Sequence, residues 1–233
     1  MATKKRQPVR TRSPRKPKGA GRERRTDIIA AAIEAFARHG YAKVTTRTIA
    51  EMVGLSQTGL YLYFRTKEDI LRAIGEQTHE AIADAMDAGA AHAKSPEERL
   101  RNVLRAYIDF GLSRPAEYQL TFTVGPDALA PIAKNLSHPP ERQTAGERHF
   151  LRFREHLAQA ARDGAIGDID PLLAAQVLWF AGHGAVSLLV GRSHFPWSDR
   201  PLLVEALLDV VTRGLKRCAP CDGKIATRSG KSS

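Results

Sequence analysis

Three consecutive residues that can form hydrogen bonds open a short predicted helix in the first third of the chain. Ser56 can cap this helix, because its hydroxyl can accept from a backbone N–H that has no partner in the first turn. Gln57 and Thr58 follow, at a helix start where side chains and free N–H groups can meet phosphates or base edges. The amide of Gln57 suits adenine, since it can bond N6 and N7 together. Leu62 is expected to point outward, where it could touch a thymine methyl group.

Two short helices joined by a tight turn must position these side chains. Thr45 or Thr46 can cap the first helix, and Gly54 follows that helix where the chain has to turn. Apolar residues at helical spacing give both helices a buried face, namely Ile49, Ala50, Val53, Leu60 and Phe64. This spacing is typical of a helix-turn-helix motif at about residues 45–64, whose second helix enters the DNA major groove. An ordinary pair of core helices is the alternative for these positions.

A preceding helix completes a predicted three-helix DNA-binding head over residues 22–67. It runs from about Arg24 to His39, with one apolar stripe, and Gly40 ends it. Thr46 and Arg47 open the second helix of the head, near the phosphates that would flank the motif.

The second helix of the motif and its exit carry further features. Leu60-Tyr61-Leu62-Tyr63-Phe64 leads into Arg65-Thr66-Lys67-Glu68, and Ala35-Phe36-Ala37 and His39-Gly40-Tyr41 stand upstream. From Thr26 to Ile74 these residues resemble the tetracycline-repressor (TetR) family of bacterial regulators. Many members have glycine at the position of Thr58, whereas Gly59 comes one residue later here, and this difference concerns base preference.

The resemblance implies roles for individual residues of the head. Tyr61 and Tyr63 are similar to the phosphate- and base-contacting aromatic residues of the family, with core packing as the alternative, and Lys67 is similar to its phosphate-binding lysine. The candidate DNA-binding residues are therefore Thr46, Arg47, Ser56, Gln57, Thr58, Gly59, Tyr61, Leu62, Tyr63 and Lys67.

The formal charge of +11 is concentrated at the two ends of the chain and favours a polyanionic partner. Residues 1–25 hold eleven Lys and Arg against Glu23, and residues 216–233 hold five against Asp222. We expect residues 1–21 to form a disordered basic arm that lies along DNA phosphates, or that only solubilises the protein. Residues 216–233 are expected to be a basic tail.

Residues 68–215 predict a larger helical domain, so that the fold class is all-α. Lys67 to Ala91 should be one long connecting helix, Ser95-Pro96 should start the next, and Arg114-Pro115 should end it. A loop is expected at residues 125–144, and helices at about 145–163, 172–190 and 201–215. The last two helices are apolar on more than one face, which predicts that they pair with a second copy in a homodimer.

The predicted partners are double-stranded DNA and a small-molecule effector. Trp179 to Gly184 is similar to a Trp-x-x-x-His-Gly signature of one TetR subgroup, and the candidate effector-binding residues are Tyr107, Phe153, Trp179 and His183. Core packing, with His183 bonded to a backbone carbonyl, is the alternative for the last two. The few charges on these helices favour a modest apolar effector. The family implies that such an effector releases a repressor from a palindromic operator; a non-inducible or architectural DNA-binding protein is the other reading.

Other classes of function receive no support from the sequence. Motifs for hydrolases, phosphate-binding loops and zinc proteases are absent from it, so we expect no enzyme, cofactor or metal. Cys218 and Cys221 have Cys-x-x-Cys spacing but lack a second ligand pair. A secretory signal and a membrane-spanning run are not expected either, so cytoplasmic location and no membrane partner are predicted.

Overall fold

The computed structural model describes residues 20–124 and 139–218, and in these ranges the chain forms helices and no strands. The α-helices are α1 Ala20–His39, α2 Thr46–Met52, α3 Gln57–Tyr61, α4 Lys67–Ala91, α5 Pro96–Ser113, α6 Pro115–Gln119, α7 Ala145–Arg162, α8 Pro171–Gly191 and α9 Arg200–Lys216. Tyr41–Lys43 and Pro140–Arg142 are 3₁₀ turns, and Leu120–Val124 is a π-helical turn after α6.

Most helix starts lie where the capping residues predict them. Thr66 and Asp69 form a capping box at the start of α4, and the Ser95 hydroxyl accepts from the N–H of Glu98 at 3.1 Å before α5. Helix α1 begins at Ala20, earlier than expected, so residues 20 and 21 do not belong to the predicted arm. Arg22 to Arg25 supply good helix formers there, which extends the first turns. Residues 1–19 of that arm, residues 219–233 of the tail and most of the predicted loop (125–138) lie outside the described residues.

The core of the head extends beyond the three predicted helices into α4. Ile70, Leu71 and Ile74 of α4 are buried in the same apolar cluster as Phe36 of α1 and Leu60 of α3. Leu120, from the π-helical turn of the larger domain, also packs into this cluster. The helix that leaves the head therefore completes its core.

The core of the larger domain lies between α4, α5, α7 and α8, with α9 against α5 and α8. The buried face of α9 is formed by Val204, Leu208 and Leu215. The helical spacing of the sequence groups Leu203, Ala206, Leu207, Val210 and Val211 on one apolar face, but Ala206 and Val210 are exposed. Because α9 is apolar on several sides, its sequence alone did not fix which side faces inward.

Two helices of this core approach each other closely at Gly111. A methyl group added there would lie 2.5 Å from Cγ1 of Val186 and 3.0 Å from Cδ2 of Tyr118.

Gly111→Ala should therefore overpack the contact between α5 and α8. We expect it to lower the free energy of unfolding, measured by urea denaturation, by about 1–3 kcal/mol. Gly75→Ala is the matched control in α4, since a methyl group there meets only Cγ2 of Thr121 at 3.9 Å, and it should raise stability by about 0.5–1 kcal/mol. Similar effects of both changes would contradict this account of the α5–α8 contact.

Helix α8 departs from the expectation that no segment could span a membrane. Among the described residues it is the one helix long and apolar enough by length and composition, with a mean hydropathy of 1.6. A single such helix is weak evidence for a membrane span, because core helices of water-soluble proteins meet the same criterion. Val177, Phe180 and Leu188 of this helix are large apolar residues that are exposed.

Candidate nucleic-acid interface and effector site

Local hydrogen bonds fix the two helices of the motif. The hydroxyl of Thr45 accepts from the N–H of Thr48 at 3.2 Å, and that of Ser56 accepts from the N–H of Gly59 at 3.0 Å. Gly54 lies between the helices with a φ of 64°, a conformation that costs glycine little. The second helix of the motif is α3, and its first residues are exposed.

One surface of α3 carries most of the predicted contact residues. Ser56, Gln57, Thr58, Tyr61 and Leu62 are exposed together, and Leu62 is 83% exposed, as its sequence position predicted. Gly59 is partly buried beneath them. This surface offers hydroxyl, amide and phenol groups beside one apolar side chain, which is the chemistry that a base-reading surface needs.

Tyr61 joins α3 to the start of α2. The amide Nε2 of Gln57 donates to its phenol oxygen at 2.9 Å, and the side chain of Thr46, the first residue of α2, lies beside it. The polar side chains of Thr46 and then Gln57 lower the pKa of the Tyr61 phenol. Arg47 next to Thr46 is exposed and pairs with Glu51 at 2.9 Å.

Tyr63 and Lys67 are more engaged with the protein than the sequence indicates. Tyr63 is partly buried against the core of the head. Nζ of Lys67 donates to the carbonyls of Tyr41 at 2.8 Å and Val44 at 3.1 Å, and lies 4.2 Å from the centre of the Tyr41 ring. An ammonium group has three donors, so one remains for an external acceptor. Burial, together with the bond to Glu68, raises the pKa of Tyr41 to about 12.

A second group of polar side chains lies inside the larger domain. The Tyr118 hydroxyl is 2.5 Å from Nδ1 of His183, and the Tyr107 hydroxyl is 3.0 Å from that of Tyr118. Burial lowers the pKa of His183, which favours its neutral imidazole, and Nδ1 shares one hydrogen bond with the Tyr118 hydroxyl. Burial also raises the pKa of Tyr107 to about 12, which keeps this phenol protonated. His183 therefore bonds a tyrosine hydroxyl, not the backbone carbonyl expected from the sequence.

A partly buried histidine, His79, and a buried one, His149, extend this group to the connecting helix. Nδ1 of His79 in α4 is 3.2 Å from Nδ1 of His149 in α7, and the ring of His149 stacks on Tyr107 with centres 6.2 Å apart. Burial lowers the pKa of His79 to about 4 and that of His149 to about 3. We call Tyr107, Tyr118, His183, His79 and His149 the interior ring cluster.

The predicted effector residues are only partly brought together. Trp179 lies beside His183 with ring centres 5.9 Å apart, whereas Phe153 is buried in the same core without a ring contact to the cluster. Sequence reasoning missed Tyr118, His79 and Phe122, the last packing on Tyr118 at 4.6 Å. These residues are far apart in sequence, and only the helix packing joins them.

Metal binding and cysteine chemistry receive no support from the described residues. In residues 20–124 and 139–218, no group of three or more His, Cys, Asp or Glu side chains could hold a metal ion. Cys218 is a partly buried free thiol, and Cys221 lies outside the described residues.

A helical head with an exposed second motif helix, joined by α4 to a larger helical domain, defines a helix-turn-helix DNA-binding regulator. Residues 28–74 match the family described as bacterial regulatory proteins, tetR family, and residues 100–213 match the tetracyclin repressor-like C-terminal domain. The chain belongs to the TetR family of transcriptional regulators. The subgroup with the Trp-x-x-x-His-Gly signature stays a prediction.

Known proteins are similar to this chain in sequence or in fold. An uncharacterized HTH-type transcriptional regulator of Mycobacterium tuberculosis is 31% identical over 191 residues, which cover 82% of this chain and 74% of the relative. A regulatory protein in the tetR family from Rhodococcus RHA1 is 25% identical with a TM-score of 0.60, covering 83% of this chain and 97% of that one. A protein with unknown function from Rhodococcus sp. RHA1 has a TM-score of 0.67 at 21% identity, covering 83% and 96% of the two chains.

Proposed function

We propose that this protein is a cytoplasmic homodimeric repressor that leaves a palindromic operator when a small molecule binds its larger domain. The observation that carries the proposal is the double role of α4. Ile70 and Ile74 belong to the core of the head, and His79, little more than one turn further on, belongs to the interior ring cluster. A ligand that displaces the cluster would therefore act on the helix that holds the head.

The proposed DNA contacts divide by chemistry. Base edges are read by Gln57 and Leu62. The DNA is also approached from the start of α3 by Ser56, Thr58 and Gly59. Thr46, Arg47, Tyr61, Tyr63 and the third donor of Lys67 bind phosphates. This division is supported by the exposure of the α3 surface.

The proposed dimer uses an apolar stripe on α8 and α9. Phe180 is 83% and Val210 69% exposed, and Val177, Leu188 and Leu202 continue the stripe. An exposed apolar area of this kind marks an association surface. A two-fold four-helix contact would place two heads one helical turn of DNA apart, about 34–36 Å.

The proposed effector is uncharged and carries hydrogen-bonding groups on an aromatic or otherwise apolar frame. The rings of the cluster are neutral at pH 7, because burial opposes ionisation of both the tyrosines and the histidines. Phe122, Phe150 and Trp179 supply apolar surface around them. The expectation of an apolar ligand is thus narrowed to one that can also bond hydroxyl and imidazole groups.

Selection of duplexes from a random library by the full-length protein tests the regulatory function. We expect a palindromic sequence bound about 10³-fold or more tightly than random DNA at matched salt. A panel of uncharged phenols and aromatic ketones should then contain members that weaken operator binding. Selection without a palindrome would reject the operator, and a panel without any active member would reject this class of effector.

The architectural alternative predicts a different result. A protein that coats DNA through its basic ends would bind operator and random DNA with a ratio near one. Removal of residues 1–19, which hold eight Lys and Arg, would then abolish most of the binding. For the proposed regulator, this deletion lowers affinity and flattens the salt dependence but keeps the same preferred sequence.

A further inference from the structure

The hydrogen bonds of Tyr61 restrict the side chain next to it that faces the DNA. Gln57 and Tyr61 stand four residues apart on the exposed face of α3, and Nε2 of Gln57 donates to the phenol oxygen at 2.9 Å. The side chain of Thr46, at the start of α2, lies beside the same phenol. Tyr61 thus connects the amide of Gln57 to the neighbouring helix.

The remaining donors and acceptors of this group can be counted. The phenol of Tyr61 can donate and accept, and it accepts from the Gln57 amide, so the phenol O–H stays available to donate to a phosphate. The amide has used one of its two N–H bonds, and keeps the other together with the carbonyl oxygen Oε1. This side-by-side donor and acceptor matches N7 and the N6 amino group of adenine.

The bond to Tyr61 also sets the orientation of the Gln57 amide group. An exposed glutamine can rotate its amide by half a turn and exchange donor with acceptor. When the phenol O–H donates to a DNA phosphate, only an acceptor position of Tyr61 is left toward Gln57, so the amide nitrogen is held on the Tyr61 side and the carbonyl points to the other side. The side chain then presents one pattern to the groove and pays less conformational entropy on binding.

We propose that Tyr61, which lies beside Thr46, is a positioning residue that fixes the Gln57 amide, so that the protein selects adenine at one position of each operator half-site. This inference rests on the proposed function as an operator-binding regulator. It assigns Tyr61 a part in sequence discrimination in addition to any phosphate contact. A phosphate contact alone would strengthen binding equally for all bases.

The test uses the full-length protein and the operator that selection yields. Dissociation constants are measured for all four bases at every half-site position, with the wild type and with Gln57→Ala, Tyr61→Phe and the double variant. We expect Gln57→Ala to equalise the bases at one position where the wild type prefers adenine by about 5- to 150-fold. Tyr61→Phe should reduce that preference by about 3- to 10-fold, the value of one hydrogen bond. In the Gln57→Ala background, Tyr61→Phe should not change the preference further.

Controls separate positioning from general effects. Tyr41→Phe also removes a phenol hydroxyl from the head, where it bonds Glu68 at 3.0 Å, and should leave the adenine preference intact. Tyr61 is 44% exposed, so Tyr61→Phe should fold, which thermal melting checks. A uniform loss of affinity across all four bases in Tyr61→Phe would overturn the positioning role while the regulator function stands. Selection that yields no preferred sequence would overturn both.

Discussion

Phe180→Glu combined with Val210→Glu should convert the protein to a monomer at about 10 µM and lower operator affinity by about 100-fold or more. Each change puts a carboxylate into the apolar stripe of α8 and α9, where a dimer would bury it without a partner at a cost of several kcal/mol. Binding of two linked half-sites exceeds binding of one by about 10²–10⁴-fold, and a monomer loses this gain. Sedimentation velocity gives the mass, and fluorescence anisotropy gives the affinity.

Met52→Glu is the matched control for the oligomeric state. Met52 is likewise a large exposed apolar residue, but it lies at the end of α2 in the head. The control should keep the mass of the wild type. A dimer that persists in the double variant would show that the stripe on α8 and α9 is not the subunit interface.

Mild acid should destabilise the protein well before its carboxylates protonate. Burial holds the pKa of His79 at about 4 and that of His149 at about 3, whereas an unfolded histidine titrates near 6.5. Between these values the unfolded state binds more protons, so stability falls as the pH falls below 6.5. From pH 6.5 to 5 the two residues together should cost about 3 kcal/mol of unfolding free energy, measured by urea denaturation.

Removal of both imidazoles should flatten this pH dependence. The variant carrying His79→Phe and His149→Phe keeps aromatic rings beside Phe122 and Tyr107 and lacks two of the three cluster imidazoles whose pKa burial lowers. His39→Gln, at an exposed position at the end of α1, should retain the wild-type slope. A slope in the double variant equal to that of the wild type would assign the acid sensitivity to other groups.

Features determined by neighbouring residues could be predicted from the sequence. The caps Ser56, Thr66 and Ser95 each act within three residues, which is why the starts of α3, α4 and α5 agree with the predictions. The same holds for the exposed face of α3, because Leu60 and Phe64 fix which side of this short segment turns inward. TetR membership follows from that region and is confirmed.

Features that join distant segments could not be predicted in this way. The carbonyls that bind Lys67 belong to residues 23 and 26 positions earlier, and Tyr118 precedes its partner His183 by 65. The spacing of apolar and polar residues along the sequence does not indicate such long-range pairs. The inward side of α9 was also missed, because a helix with two apolar faces fits two orientations equally well until its neighbours are in place.

The burial of α4 in the cores of both domains limits where the chain can be divided. A fragment ending at Lys67 would lack Ile70, Leu71 and Ile74, and even one ending at Ala91 would lack Leu120. Either fragment should populate partly open states that the intact protein does not. Heads exchanged between members of the family should therefore work best when the first two turns of α4 and the segment around Leu120 are transplanted with them. Both segments contribute side chains to the apolar core of the head.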